Sequence, residues 1–306
     1  MNNVTEQLLK MISDFDGEFK GAYNIREDGG CAARQSTENI SIESKEDAPG
    51  LVIKVKPNTK NEKVFIPACV TKGGIDDLVY NDFYIGENAD IEIQAGCGVH
   101  NEEDADARHN GIHRFFLGKG AKALYVEKHI GTGESKGKKR IDPITEIFLE
   151  EGAVLEMETT QIGGVDSTDR KTNAVLKENA KLIIHENLLT EFEQVAKSDF
   201  NVLMNGDDSS VDLISRSVAR DTSHQEYHSK ISGNTRCTGH SECDAILVGN
   251  GTVNAVPELF AGHIDASLIH EAAIGKIAGE QILKLKTLGL TDEEAEQKII
   301  EGFLKA

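Results

Sequence analysis

The sequence predicts a mainly β fold, a parallel β-helix with a short helix before it and a helical region after it. One observation is a turn motif that recurs through the centre of the chain: an apolar residue, two variable residues, Gly or Asn, and a small residue. Its copies begin at Ile85, Leu117, Leu149 and Leu176, with weaker ones at Leu203 and Ile231. These starts lie 32, 32, 27, 27 and 28 residues apart, and a fixed period between about 20 and 50 residues is typical of stacked structural units.

The second observation is the alternation of apolar and polar residues on both sides of each turn. Residues 144–149 precede one turn and residues 154–157 follow it, and both stretches alternate. Alternation over a few residues predicts strands with one buried face. The Gly or Asn of the motif supplies the positive φ that a tight turn requires, and the small residue packs where successive coils stack.

Helical patterns flank the β-helix, which we assign to residues 21–262. Residues 1–20 contain an amphipathic stripe that consists of Val4, Leu8, Leu9 and Ile12. Residues 263–306 are expected to form a C-terminal helical domain, with helices at 265–277, 279–288 and 292–305. The last of these starts with a capping box from Thr291 to Glu294, and Gly289 closes the helix before it. Such a region can also cover the open end of a solenoid.

Composition restricts the classes of partner. The chain has 306 residues and a net charge of −19, so its surface repels phosphate backbones and we expect no nucleic-acid partner. No apolar run reaches the length of a membrane helix. Residues 1–10 lack the basic start and apolar middle of a signal peptide. We therefore expect a cytoplasmic protein that does not bind a membrane.

The sequence lacks the motifs of several common sites. Its 5 cysteines are widely spaced and contain no C-x-x-C pair, which argues against a disulfide framework, a zinc ribbon and a bacterial ferredoxin cluster. Lys119 and residues 131–139 lie in Gly- and Lys-rich stretches, but neither has the spacing of a phosphate-binding loop. We conclude that the chain is not itself a P-loop ATPase.

Three groups of residues are candidate sites. Cys237-x2-His240-x2-Cys243 contains zinc-ligand types, but residues three apart on a strand point to opposite faces, which leaves Cys243 as a single functional thiol or a buried cysteine. The pairs His109/His113 and His224/His228 are interpreted as structural or surface residues. His270 and Glu271 are adjacent on a predicted helix, so they either form a satisfied polar pair or border one site with Cys243.

Several motifs in order resemble the SufB/SufD family, the scaffold components of SUF iron–sulfur cluster assembly. They are Ala107–Arg114, Ser215–Ser217, Gly239–Gly249, His270–Ile277, Glu280–Gln281, Gly289–Ala295 and Ile300–Phe303. The similarity is dense from about residue 211 onward and looser over the repeats. Ala107–Arg114 resembles the short SufB-like proteins of minimal SUF systems.

The resemblance implies a right-handed parallel β-helix that forms a homodimer, and a scaffold role that is not catalytic. Cys243 matches the sulfur-accepting cysteine and cluster ligand, and His270 and Glu271 match its histidine and carboxylate partners at the metal. The cluster would be a transient [4Fe-4S] cluster, with none tightly bound in the isolated protein. Partners would be a SufC-like ABC ATPase that hydrolyses ATP, a cysteine desulfurase or other sulfur donor, and apo iron–sulfur acceptor proteins.

The ATPase would bind the C-terminal region through its apolar side chains. These are Ile274, Ile277, Ile282, Leu285, Leu288, Ile299 and Phe303. Compared with SufB itself, the N-terminal helical domain is reduced to roughly 20 residues and its C-x-x-C cysteines are missing, so the route of sulfur and any use of flavin stay open. The alternatives are an ABC-transporter-type accessory protein and a β-helix carbohydrate-active enzyme.

Overall fold

The alternating segments wind into a β-solenoid of about 8 turns in the computed structural model, which describes residues 1–13 and 15–304. The strands in chain order are β1 (Ala22–Glu27), β2 (Gly30–Gln35), β3 (Ile40–Ser44), β4 (Gly50–Val55), β5 (Lys60–Val70), β6 (Asp76–Ile85), β7 (Asp90–His100), β8 (Ala107–Leu117), β9 (Lys122–Thr132), β10 (Lys139–Ile141), β11 (Ile144–Leu149), β12 (Val154–Ile162), β13 (Ser167–Leu176), β14 (Lys181–Thr190), β15 (Val195–Met204), β16 (Ser209–Ala219), β17 (His224–Gly233), β18 (Cys237–Leu247), β19 (Thr252–Ala261) and β20 (Ala266–Lys276). The helices are α1 (Asn3–Ser13), α2 (Gly279–Lys286) and α3 (Asp292–Phe303). The parallel β-helix expected from the sequence is confirmed.

The strands form two sheets that face each other across a shared interior. Sheet A has the order β2-β1-β5-β7-β9-β12-β14-β16-β18-β20, and sheet B has the order β19-β17-β15-β13-β10-β8-β6-β4-β3. Like β10, β11 pairs with both β8 and β13. The pairings along each sheet are parallel, apart from the antiparallel β1–β2 and β3–β4 hairpins at the start. One continuous apolar core fills the interior from β1 to β18.

The turn motif has the conformation that its residue types predict. The turn residues of the four strong copies have φ between 55° and 67°; they are Asn88, Gly120, Gly152 and Asn179. The small residue after each turn is completely buried; these are Ala89, Ala121, Ala153 and Ala180. In the copy at Leu203 the positive φ moves to Asp208, with φ 58°. Gly206 is required there for space, because a Cβ would lie 1.9 Å from the backbone of Glu178.

The N-terminal helix lies against sheet A, as its apolar stripe predicts. Leu8, Leu9 and Ile12 are at most 1% exposed and pack against β5 and β7. Gly96 and Gly98 of β7 allow this close approach, since added Cβ atoms would lie 2.8 Å from Ile12 and 2.9 Å from Leu8.

The predicted helix at 265–277 is wrong. Those residues form β20, which pairs in parallel with β18 from Ala266 to Lys276. The alanines of this segment favour a helix, but the ladder edge of β18 and the inward apolar position of Leu268 favour a strand. The β-helix therefore continues beyond residue 262, and helical structure begins at Gly279.

The two predicted helices that follow are confirmed as α2 and α3, although residue 305 lies outside the described residues. Thr291 and Glu294 form the expected capping box, and Gly289 has φ 96°. Glu296 of α3 forms an ion pair at 3.2 Å with Arg220, the residue that follows β16. Among the described residues nothing caps the end of the last coil, because Leu268 stays only half-buried and α2 buries none of its residues.

Candidate functional site

Strand β18 carries the candidate thiol and alternates strictly between its two faces. Cys237, Ser241 and Cys243 are buried in the interior, whereas His240 and Glu242 face outward and are half-buried. This confirms that residues three apart in the Cys-His-Cys stretch point to opposite faces. The three side chains therefore do not converge on one zinc ion.

The Cys243 thiol lies inside the β-helix, where it is 1% exposed. In the ladder it is flanked by Ser215 of β16 and Ala272 of β20. Burial, followed by the charges of Glu186 and Asp244, raises the pKa of Cys243 to about 12. Because the thiolate is the nucleophile and the metal ligand, this conformation holds Cys243 in its unreactive, protonated form.

His270 faces the same interior as Cys243, on the last strand of sheet A. It pairs in register with Ser241, and its Nδ1 donates to the Ser241 carbonyl at 3.0 Å. That hydrogen bond occupies Nδ1, so Nε2 is the ring nitrogen that remains for a ligand. Metal-binding histidines are commonly held in this way by a backbone carbonyl, and the geometry of His270 is compatible with such a role.

Glu271 follows His270 on β20 and therefore points to the opposite face. It pairs in register with Glu242, and its Oε2 lies 3.8 Å from Nε2 of His240. The structure thus places Cys243 and His270 on the inner face of sheet A and Glu271 on the outer face. The position of Glu271 follows from the strand that replaces the predicted helix.

The outer face brings together a group that sequence reasoning did not assemble, the outer cluster of His240, Glu242 and Glu271. Their candidate ligand atoms all lie within 4.8 Å of one another. His240 Nδ1 lies 2.8 Å from a carboxylate oxygen of Asp212, so Nδ1 donates and Nε2 faces the cluster. The alternation of side chains along each strand, combined with the period of the coils, could have revealed this group, because Glu271 lies one coil after Glu242 on the same face.

The outer cluster is rich in negative charge. Burial, followed by the charge of Asp244, raises the pKa of Glu242. Glu242 forms an ion pair with Arg216, whose Nη2 lies 4.0 Å away. Arg216 also lines a cleft of about 430 Å³ on this face, together with Leu304.

The interior contains a second charged group, the lumen cluster of Glu127, His129, Arg170 and Glu186. Arg170 lies 2.8 Å from Glu127 and 3.5 Å from Glu186. Although burial opposes ionisation, His129 and Arg170 hold the pKa of Glu127 well below its usual range. Glu186 accepts a hydrogen bond at 2.9 Å from Ser215, the ladder neighbour of Cys243. The sequence signal for this cluster is the presence of charged residues at inward-facing strand positions.

The four histidines with helical metal spacing lie on strands. His109 and His113 of β8 line a buried cavity of about 30 Å³ together with Cys97. Burial lowers the pKa of His113 to about 4. His224 and His228 of β17 are half-buried and exposed, respectively, on the outside of sheet B.

The apolar residues expected to bind the ATPase are spread over β20, α2 and α3. Leu288 is 73% exposed and Ile274 is 40% exposed. The others are half-buried, namely Ile277, Ile282, Leu285, Ile299 and Phe303. Among the described residues, no helix is long and apolar enough to span a membrane.

Comparison with known families identifies the solenoid. Residues 83–303 match the model of the SufBD core domain, described as SUF system FeS cluster assembly. The chain belongs to the SufBD family. The family, and with it a connection to iron–sulfur cluster assembly, agrees with the resemblance inferred from the motifs.

Three archaeal SufBD proteins illustrate the similarity. The iron–sulfur cluster assembly SufBD family protein of Methanothermobacter thermautotrophicus strain Delta H is 28% identical over 268 residues, which cover 86% of this chain and 64% of that protein. The protein of Archaeoglobus fulgidus is 28% identical over 85% of this chain and 69% of its own length. The protein of Methanocaldococcus jannaschii is 28% identical over 88% of this chain and 86% of its own length. The chain thus spans less than two thirds of the Methanothermobacter relative.

Proposed function

We propose that this SufBD chain is a non-catalytic scaffold subunit that receives sulfur at Cys243 and builds an iron–sulfur cluster there. The observation that carries the proposal is the placement of Cys243 and His270 on the same inner face of β18 and β20, at the open end of the β-helix. A thiolate and an imidazole are both ligands that iron accepts. The cluster is cargo, held for transfer and not kept as a resident cofactor.

Sulfur would arrive as a persulfide from a cysteine desulfurase or another donor. The Cys243 thiolate attacks the outer sulfur of the donor persulfide, a new S–S bond forms at Cys243, and the donor leaves as a thiolate. This exchange requires a deprotonated thiol, whereas burial raises the pKa of Cys243 to about 12. The last coil must therefore open before the reaction.

Opening is the role we assign to partners. A SufC-like ATPase would bind the exposed apolar residues of the C-terminal region, such as Leu288 and Ile274, and pull on β20 through α2. A second copy of the chain would pair with the first through the β-helix, so that the cluster site lies at the dimer interface. Acceptor apoproteins would then take the finished [4Fe-4S] cluster, which partial ligation by imidazole holds less tightly than four thiolates would.

The test is anaerobic reconstitution with iron, sulfide and a SufC-like ATPase, followed by iron and sulfide counting. Wild type should assemble a cluster that Cys243→Ser loses, and Cys237→Ser, another inward-facing thiol on β18, serves as the matched control. If Cys243→Ser assembles clusters at the wild-type rate, the proposed site is wrong. Loss in Cys237→Ser alone would move the site along the same strand.

A further inference from the structure

The outer cluster has the geometry of a metal site that is separate from the thiol. Its ligand atoms lie within 4.8 Å of one another, and they come from two adjacent strands of one sheet, β18 and β20. A site on paired strands is held more precisely than one on loops. His240, Glu242 and Glu271 are half-buried or exposed, so an ion can reach them from solvent without any opening of the β-helix.

Within the described part of the chain, the ion pairs of the outer cluster balance its negative charge only in part. Glu242 and Glu271 are directly opposite each other in the ladder, an arrangement in which like charges destabilise neighbouring strands. Asp244 follows on the same face and Asp212 lies behind His240. Arg216 approaches Glu242 only to 4.0 Å. A bound cation would remove this repulsion.

The orientation of His240 provides the second observation. Its Nδ1 donates to Asp212 at 2.8 Å, so that Nε2 is the ring nitrogen directed at the cluster, 3.8 Å from the Glu271 carboxylate. A carboxylate behind a histidine fixes its tautomer and raises its basicity, as at many metal sites.

We propose that His240, Glu242 and Glu271 bind a divalent transition-metal ion on the outer face of sheet A, independently of Cys243. One imidazole and two carboxylates suit Fe²⁺, Mn²⁺ or Zn²⁺, whereas an all-oxygen site would suit Mg²⁺ or Ca²⁺. Its purpose rests on the proposed function: Glu242 immediately precedes Cys243, so ferrous iron would be held on one face of the strand while sulfur is held on the other.

The experiment titrates the full chain with Co²⁺ in the absence of sulfide, with binding followed by calorimetry and by the cobalt absorption spectrum. Wild type and Cys243→Ser should bind alike, with d–d bands and without sulfur-to-cobalt charge transfer. His240→Ala and Glu242→Gln should each weaken binding by at least about 10-fold. Glu271→Gln, at an exposed position, should do the same in a protein whose folding is not at risk.

The matched control is Glu226→Gln. His224 and Glu226 repeat the strand spacing of His240 and Glu242, with Nε2 and Oε1 3.2 Å apart, but Lys197 lies 2.8 Å from Glu226 and takes the place of a second carboxylate. Binding should be unchanged in this variant.

Three outcomes would overturn the proposal. They are Co²⁺ binding that requires Cys243 or shows sulfur charge transfer, binding that survives all three outer-cluster substitutions, and no binding to wild type. Each would leave the reconstitution test of Cys243 unaffected, because that test supplies sulfide and scores cluster formation. Conversely, metal binding without cluster assembly would support the outer site and count against the proposed function.

Discussion

The lumen cluster and the outer cluster are both built from glutamate and a basic side chain, but they differ in charge balance. In the lumen, Arg170 lies between Glu127 and Glu186, and all three side chains are at most 6% exposed. On the outside, Glu242 and Glu271 share one histidine and remain open to solvent. Buried charges persist only when they are paired, whereas exposed carboxylates at ligand spacing stay solvated until a cation binds. The comparison separates a structural cluster from a binding one.

The largest effect should follow from breaking the lumen cluster. Arg170→Met leaves Glu127 and Glu186 buried without their cation, which costs about 3–5 kcal/mol in typical buried pairs. The free energy of unfolding in urea measures the loss. Arg236→Met, which removes an exposed ion pair with Asp208, is the control and should have a far smaller effect. Equal losses in both variants would contradict the structural role of the lumen cluster.

Next in size is the contrast between interior and exterior thiols. The pKa of Cys243, raised from 9.0 to about 12, reduces its thiolate fraction at neutral pH about 10³-fold. Exposed Cys31 should therefore react with iodoacetamide first, with Cys243 labelled far more slowly. Mass spectrometry of anaerobically labelled protein follows both peptides, and Cys243→Ser confirms the assignment. Labelling of Cys243 as fast as Cys31 would show that the last coil is already open.

The pH dependence of stability should reveal that His113 is buried in its neutral form. Burial lowers the pKa of His113 from 6.5 to about 4, so the unfolded chain binds more protons between these values. The stability linked to this group is complete above pH 6.5 and is lost as the pH falls toward 4, on the order of 3 kcal/mol. Denaturant unfolding at several pH values should show a shallower slope in His113→Gln. His228→Gln, at an exposed position, should keep the wild-type slope.

The smallest expected change in stability comes from replacing one glutamate by glutamine, and it should have opposite signs in the two clusters. In chelator, Glu271→Gln removes repulsion from Glu242 and should raise stability by about 0.2–1 kcal/mol. Glu186→Gln should lower it, because Arg170 loses a counter-charge. Added Mn²⁺ should then stabilise wild type and not Glu271→Gln, since an ion that binds only the native state stabilises it. Thermal unfolding with and without metal tests both signs, and a destabilised Glu271→Gln in chelator would argue against charge repulsion at the outer cluster.

The fold could be predicted because its signals are local and repeated. Asn88 and Gly120 indicate turns, one coil apart, that need a residue with positive φ. The alternating segments between them indicate strands without any knowledge of distant contacts. β20 could not be recognised in this way, because residues 270–273 have the composition of a helix and become a strand only through the ladder with β18.

The candidate site was harder to predict for the same reason. Once His270 and Glu271 were assigned to a helix, they could share one site with Cys243, whereas on a strand they separate to opposite faces. The lumen cluster was not predicted because inward positions in a β-helix are expected to be apolar. Glu127 and Arg170 occupy such positions because they form an ion pair with each other. A partner in the next coil cannot be seen in either strand alone.

The uncapped end of the last coil has a consequence for local stability. In a solenoid each coil is stabilised by its neighbours, and β20 is the final strand of sheet A, with a single neighbour in β18. Amide protons of β20 should therefore exchange through a local opening that costs less free energy than opening of the central coils. Amides of the central strands should exchange only at a cost close to that of global unfolding. The segment that covers Cys243 is thus the one the molecule can release and reclose without disturbing the register of the coils beneath it.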